Sequence, residues 1–175
     1  MAKSKFDGVD IGTTEARIEA GIVFELSEKI TIANDGGVGK WLFKTGNKRV
    51  IIMQRQITAN ADGLDYQVLK EPNVTSSGTP ALIVNMNSKD GLKRTVEAYS
   101  NPITDGGTPI PSIYMPGAEG VGERTVGQFN REGNIRILDA RTTYLAQVTN
   151  NGAVISANVE LYLMWAEVTD PNPNG

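Results

Sequence analysis

The chain has 175 residues, a formal net charge of −3, and neither Cys nor His. This length suits one domain with a core of its own. The missing residue types exclude disulfides, thiolate metal sites and catalytic triads built on imidazole. Lys and Arg form no block that would predict a nucleic-acid interface, and no apolar run is long enough to predict a membrane span.

The N-terminal residues MAKSKFDGVD contain two lysines but no apolar stretch after them, so they do not predict a signal peptide. We therefore expect the protein to be made and kept in a cytoplasm. Residues 1–18 are predicted to form an N-terminal arm that precedes the domain, with at most a turn or two of helix near Thr14 to Arg17.

The stretch GVDIGTTEAR, Gly8 to Arg17, resembles the phosphate-binding turn of the actin, sugar-kinase and heat-shock-chaperone ATPases. In those families the turn joins two long buried strands and lies between two large lobes. Here the few residues before Gly8 are mostly polar, and the chain is too short for two lobes. We therefore interpret Asp10, Thr13 and Thr14 as cap and turn residues.

Alternation of apolar and polar residues then predicts a series of short strands. Phe24 and Leu26 share one face of the first strand, and Ile30 and Ile32 lie in a short run after it. The next predicted strands are KWLFKT (residues 40–45), RVIIMQRQIT (49–58, with residues 50–53 covered on both faces) and LDYQVLKE (64–71).

The glycines of GGVGKW, residues 36–41, suggest a phosphate-binding loop at first sight. The Walker pattern needs a Gly five positions before Gly39 and a Ser or Thr after Lys40. Asn34 and Trp41 occupy those positions, so the pattern fails twice. A glycine-rich hairpin is the better interpretation.

Two further strands, ALIVNM (residues 81–86) and RTVEAY (94–99), precede a segment rich in Pro and Gly. This segment, residues 101–127, has little regular pattern and is predicted to be one long irregular loop. Its scattered apolar residues indicate that it packs, either on a neighbouring subunit or as a lid over its own domain. They are Ile103, Ile110, Ile113, Tyr114 and Met115.

The last third predicts strands NIRIL (residues 134–138), TTYLAQVT (142–149) and NVELYLMWAEV (158–168), with a tight hairpin turn at Asn151-Gly152. Residues 169–175 are predicted to be a flexible tail. The pattern predicts an all-β fold: one β-sandwich or jelly-roll-like domain over residues 19–168.

No residues are predicted to be catalytic, to bind a cofactor or to bind a metal. Glu160 and Glu167 lie on opposite faces of one predicted strand, so they cannot form the acid pair of a glycosidase. Other acids cannot be placed relative to each other from sequence; these are Glu97, Glu119, Glu123 and Glu132.

Aromatic side chains could instead form a sugar-binding platform. Trp41 shares its parity with Phe43, and Trp165 shares its parity with Leu161 and Leu163, so both tryptophans are predicted to face the core. Tyr99 and Tyr114 are then the aromatic residues expected to be exposed and to contact a partner protein or a glycan.

Several phrases of the sequence resemble small structural proteins of tailed bacteriophages. They are IGTTEARIEAGIVFEL at residues 11–26, EPNVTSSGTPALIVNMNSKD at 71–90, and TTYLAQVTNNGAVISANVELYLMWAEV at 142–168. SNPITDGGTPI, residues 100–110, resembles a second copy of the middle phrase. The likeness covers about two thirds of the chain and includes no catalytic motif.

The resemblance implies a non-enzymatic virion protein, a β-sandwich subunit that decorates or cements the capsid. It implies homo-oligomers, often trimers, that contact the major capsid protein or other virion proteins. It implies neither a cofactor nor a nucleic-acid or membrane partner. The arm, residues 1–19, and the 101–127 segment would be the main contact surfaces. The alternative is a carbohydrate-binding or adaptor component of a tail or appendage.

Overall fold

The computed structural model describes residues 11–33, 36–60, 63–87, 93–110, 124–128, 136–151 and 156–169. The chain is nearly all β, with fourteen strands and one nine-residue helix among the described residues. The predicted all-β, sandwich-like domain is therefore confirmed. The chain has no Cys and therefore no disulfide, so the stability of the domain depends on packing between its sheets.

One helix and fourteen strands follow one another along the described residues. They are α1 (Ile11–Glu19), β1 (Val23–Ile32), β2 (Val38–Lys44), β3 (Arg49–Ala59), β4 (Leu64–Lys70), β5 (Asn73–Ser76), β6 (Thr79–Pro80), β7 (Val84–Asn85), β8 (Glu97–Ser100), β9 (Ile103–Asp105), β10 (Thr108–Ile110), β11 (Arg124–Gln128), β12 (Arg136–Leu138), β13 (Thr143–Asn150) and β14 (Ala157–Val168).

The strands form two six-stranded sheets and one two-stranded ribbon. Sheet A has the order β11-β3-β14-β1-β7, with β12 also paired to β3. Sheet B has the order β10-β4-β13-β2-β8-β6. The ribbon is the antiparallel pair β5-β9. Every pairing within the two sheets is antiparallel, as expected for half-buried strands of alternating polarity.

The core lies where the inner faces of the two sheets meet, and its centre is Trp165 of β14. Its ring stacks on Phe24 of sheet A at a centroid distance of 6.1 Å and meets Phe43 of sheet B edge-on at 5.1 Å. Val159 and Leu161 of β14 are also buried. The predicted inward face of this strand is therefore confirmed.

The N-terminal part differs in detail from the prediction. Thr13 and Thr14 lie inside α1 instead of capping it, and Asp10 lies outside the described residues. The helix runs to Glu19, one residue past the predicted end of the arm. Ile30 and Ile32, predicted to lie in a separate run, belong to the continuous ten-residue strand β1, because β14 pairs with it along its whole length.

The connection from β1 of sheet A to β2 of sheet B explains the glycine-rich motif that superficially suggests a phosphate loop. Gly39 is buried, and a Cβ atom there would collide with the side chains of Ile30 and Ile32. This close approach of two core isoleucines requires glycine at that position. The predicted glycine-rich hairpin is wrong, because the segment links strands of two different sheets, but Gly39 has a packing role there.

Strand β3 also differs from the prediction that residues 50–53 are covered on both faces. Val50 is buried, but Ile51, Ile52 and Met53 are only partly buried. The pairing with β14 skips Met53, which is an extra residue in a β-bulge. Because of the extra residue, odd-numbered residues of β3 before Met53 lie on the opposite face of the sheet from odd-numbered residues after it.

The segment 101–127, predicted to be one irregular loop, contains the short strands β9 and β10 and most of β11. Alternation is not visible over strands of three residues, and this is why the sequence pattern missed them. Residues 111–123 lie outside the described residues, as do Gly152 and residues 170–175 of the predicted tail. The hairpin predicted at Asn151-Gly152 is wrong, because β13 belongs to sheet B and β14 to sheet A.

The repeated phrase of the sequence is a repeated structural unit. Each copy begins with a residue of positive φ before a buried proline, at Glu71 (φ 53°) and Asn101 (φ 53°). Each then forms one strand of the ribbon and passes through a glycine of positive φ, Gly78 or Gly107. The first copy is one residue longer, and the pairing accommodates Thr75 as a bulge.

These two copies occupy equivalent positions in the fold. The Thr-Pro of the first copy (β6) pairs with β8, the strand before the second copy, and the second copy's β10 pairs with β4, the strand before the first. Sheet B therefore has matching halves, β10-β4-β13 and β6-β8-β2. The chain contains an internal, approximately two-fold arrangement that spans the ribbon and sheet B.

The ribbon covers the middle of the outer face of sheet B. Leu42 and Leu145, paired neighbours that point away from the main core, are almost fully buried beneath it, with Val74 of the ribbon against them. Two lysines of β2 donate hydrogen bonds that hold the ribbon against sheet B. Lys40 Nζ donates to the carbonyl and hydroxyl of Thr104, each at 3.1 Å, and Lys44 Nζ donates to Ser77 Oγ at 2.8 Å.

Candidate interaction site

The acidic residues considered for catalysis do not converge within the described part of the chain. Glu160 is exposed and Glu167 is 1% exposed, so the prediction that they occupy opposite faces of their strand is confirmed. Glu97 is exposed, and Glu119, Glu123 and Glu132 lie outside the described residues. No group of three or more acidic side chains among the described residues could hold a metal ion.

The buried carboxylate of Glu167 has a structural role. It accepts hydrogen bonds from the backbone N–H of Thr95 (2.8 Å), the hydroxyl of Thr95 (2.7 Å) and the backbone N–H of Val96 (3.2 Å). It therefore anchors the segment that leads into β8 and satisfies two backbone donors. The alternating sequence around it could not reveal this role, because the partner segment is distant along the chain.

The tryptophans form no exposed platform for a sugar. Trp41 is 4% exposed and Trp165 is 0% exposed, which confirms that both face the core. Tyr66 and Tyr144 are buried as well. The buried aromatic residues weigh against a shallow glycan-binding groove in the described part of the chain.

Tyr99, predicted to be an exposed contact residue, is half-buried beside the ribbon. Its hydroxyl donates to Glu97 at 2.8 Å, and the Lys44 ammonium lies 5.1 Å from its ring centroid. Tyr99 is less exposed than predicted because the ribbon packs on the same face of sheet B as its side chain. Tyr114, the second predicted contact residue, lies outside the described residues.

Tyr162 is an aromatic residue on the outer face of sheet A. Its hydroxyl donates to Glu25 at 2.9 Å. Burial of the ring, followed by the hydrogen bond to the carboxylate, raises the pKa of Tyr162 to about 12. The phenol therefore stays neutral at physiological pH and serves as a donor between neighbouring strands.

A short apolar strip at the β7 edge of sheet A is the feature least expected of an isolated subunit. From Ala81 to Met86 the burial alternates, with Ala81 and Ile83 buried. Leu82 is 75% exposed, Val84 46% and Met86 36%. We call these three side chains the β7 strip. The sequence predicts a strand at ALIVNM, but apolar residues occupy both of its faces, so the pattern does not show which face is exposed.

The two edges of sheet B are protected against pairing with further strands. Both edges of sheet B carry a proline, Pro80 in β6 and Pro109 in β10, which cannot donate to a neighbouring strand. The far side of β3 in sheet A is paired with β11 and β12. The β7 edge has neither a proline nor a charged side chain within the strip.

At one end of the sandwich, an exposed ion pair joins β4 to the turn before β13. Lys70 Nζ lies 2.8 Å from Asp139 Oδ2. The hydrogen bond from Lys70 holds the pKa of the Asp139 carboxyl below its ordinary value, and the same contact raises the pKa of Lys70. The residues are too exposed for this pair to be a strong source of stability.

We expect Lys70→Gln to raise the pKa of Asp139 toward its ordinary value, as measured by NMR titration of the carboxyl carbon. Because the pKa is lowered in the folded protein, this pair stabilises the fold at pH above the ordinary Asp value. That contribution disappears as the pH falls through the lowered pKa. Lys44→Gln is the control, since Lys44 contacts Ser77 and Tyr99, and an unchanged Asp139 pKa in Lys70→Gln would contradict the assignment.

A scan against protein-family models, a search of curated proteins and a search of solved structures each found no match to the chain. Among the described residues, no helix is long and apolar enough to cross a membrane. The function is therefore inferred from the sequence phrases and from the geometry of the sandwich.

Proposed function

We propose that the chain is a non-enzymatic structural protein of a tailed-bacteriophage virion, and that it decorates and stabilises the capsid. It self-associates and docks on the major capsid protein or another virion protein. Its location is the virion, assembled in the host cytoplasm. The observation that carries the proposal is the β7 strip, an exposed apolar surface on an otherwise well-packed sandwich.

Two further features support this proposal. The acidic side chains weighed for catalysis are separated or have structural partners in the described part of the chain. The phrases that resemble phage structural proteins coincide with the repeated ribbon units and with strands β13 and β14, which belong to the two sheets of the sandwich. A protein of this kind acts by binding its partners through its surface, so it needs no catalytic residues.

The mechanism is thermodynamic linkage. Contacts that form only in the assembled shell add free energy to the assembled state and none to the separated parts, so they oppose disassembly by mass action. A rigid sandwich suits this role because little conformational entropy is lost when a preformed surface docks.

The test is re-addition of the purified protein to capsids of the encoding phage from which it has been removed. We expect it to bind in a copy number that matches the shell lattice and to raise the temperature at which the capsids open. A glycan array probed with the same protein is expected to show no binding. Binding only at a single vertex, or to a host glycan, would contradict the proposal.

A further inference from the structure

We infer that the two copies of the repeated unit form a clasp that couples the two edges of sheet B, so that β6 and β10 loosen together and not independently. The clasp consists of residues 71–80, the first copy, and residues 101–110, the second copy. A change at one edge, such as the binding of a neighbouring molecule, therefore alters the mobility of the opposite edge of a six-stranded sheet. The inference concerns the isolated chain and does not depend on the proposed function.

The two copies cross the outer face of sheet B in opposite directions. The first copy leaves β4 at Glu71 and ends as β6, which pairs with β8. The second copy leaves β8 at Asn101 and ends as β10, which pairs with β4. They meet halfway, where β5 of the first copy pairs with β9 of the second. Each edge strand is therefore tied to the strand from which the other copy starts.

Each copy also packs its last glycine against the start of the other copy. A Cβ atom on Gly78 would collide with the carbonyl oxygen of Ser100 and would lie 2.8 Å from the backbone carbonyl carbon of Asn101. A Cβ atom on Gly107 would lie 3.3 Å from the carbonyl oxygen of Lys70. The glycines allow this close approach of backbones, and a movement of either copy therefore disturbs the start of the other.

The starts of the two copies are held in the same strained conformation. Glu71 and Asn101 both have a φ of 53°, although each precedes a proline and neither is glycine. Their backbone N–H groups donate to central strands, to the carbonyl of Thr143 at 2.8 Å and to that of Lys40 at 3.0 Å. Such strain persists only where the surrounding contacts fix the backbone, so displacing the glycine that packs on a start is expected to release it.

Neither edge strand is long enough to be held firmly by its own hydrogen bonds. β6 has two residues and β10 has three, and each contains a proline that cannot donate to its neighbour. Strands with so few contacts open locally at little cost when nothing else holds them. The clasp supplies the further attachment, together with the hydrogen bonds that Lys40 and Lys44 donate to the ribbon.

The test is amide hydrogen exchange of the purified full chain, for wild type and Gly78→Ala. Relative to amides of β14, we expect exchange to accelerate by about tenfold or more at Ala81, which follows β6, and also at Ile110, the equivalent residue on the opposite edge. The control is Gly36→Ala, because Gly36 has a similar positive φ (78° against 87°) but nothing within 4 Å of its Cβ position. This control should change exchange at either edge by less than about threefold.

Gly107→Ala is the reciprocal test and should accelerate exchange at Ala81 as well as at Ile110. Should either glycine variant fail to fold, Val74→Ala is a milder change, because it removes only part of the ribbon side chain that packs on Leu42 and Leu145. It should loosen both edges to a similar extent. Acceleration at the near edge alone, or at neither edge, would overturn the inference, because the two edges would then move independently.

Discussion

Replacing Trp165 by alanine is expected to lower the free energy of unfolding by about 3–5 kcal/mol, the range seen when a large buried aromatic side chain is truncated. The side chain is 0% exposed and contacts both sheets through Phe24 and Phe43. Its removal leaves a cavity at the place where the two sheets meet. Equilibrium denaturation in urea, followed by circular dichroism, measures the effect.

The variant Trp165→Phe tests how much of the stability loss comes from the lost side-chain volume and how much from the indole N–H group. The Nε1 atom of Trp165 has no hydrogen-bond partner among the described residues, so phenylalanine loses volume but no internal hydrogen bond there. We expect a smaller loss, about 1–3 kcal/mol. Leu82→Ala is the surface control and should change stability by less than about 0.5 kcal/mol. Equal losses in Trp165→Ala and Leu82→Ala would contradict the two-sheet core.

The strands that were predicted well are those in which one face is buried by a whole sheet. In β4, Leu64, Tyr66 and Val68 are buried as the alternation requires, and β14 likewise places Trp165 in the core. For these strands the choice of face is a local property, because successive side chains point to opposite sides. Sequence alone therefore sufficed for the fold class.

The features that were missed depend on contacts between distant parts of the chain. Leu42 has the outward parity of β2 and is buried only because the ribbon covers it. The ribbon itself pairs two copies of a phrase that were recognised in the sequence, yet their pairing could not be deduced from the repeat. Strand order is set by long-range pairing, which strand spacing does not specify.

The candidate interaction site shows the same limit. The apolar run at residues 81–86 predicted a strand, but Leu82, Val84 and Met86 are as apolar as the residues that face inward. Only the position of β7 at the end of sheet A leaves them in water. Tyr99 is the reverse case, since an aromatic residue expected at the surface is half-buried beside a ribbon that the pattern did not reveal.

Replacing Glu167 by alanine is expected to lower the free energy of unfolding by about 2–5 kcal/mol. The carboxylate accepts three hydrogen bonds from Thr95 and Val96. Alanine would leave two backbone N–H groups without their acceptor, and each unsatisfied buried donor costs about 1–3 kcal/mol. Urea denaturation measures the loss, and hydrogen exchange at Thr95 and Val96 should accelerate in the variant.

Glu167→Gln and Glu160→Ala make this expectation specific. Glutamine keeps the size and one carbonyl acceptor but not the charge, so we expect a smaller loss of about 1–2 kcal/mol. Glu160 lies on the exposed face of the same strand, and its replacement should change stability by less than about 0.5 kcal/mol. Because Arg94 precedes the anchored segment and contacts Ile83 beside the β7 strip, Glu167→Ala should also weaken self-association. A fully stable Glu167→Ala protein would show that the buried carboxylate does not anchor this edge.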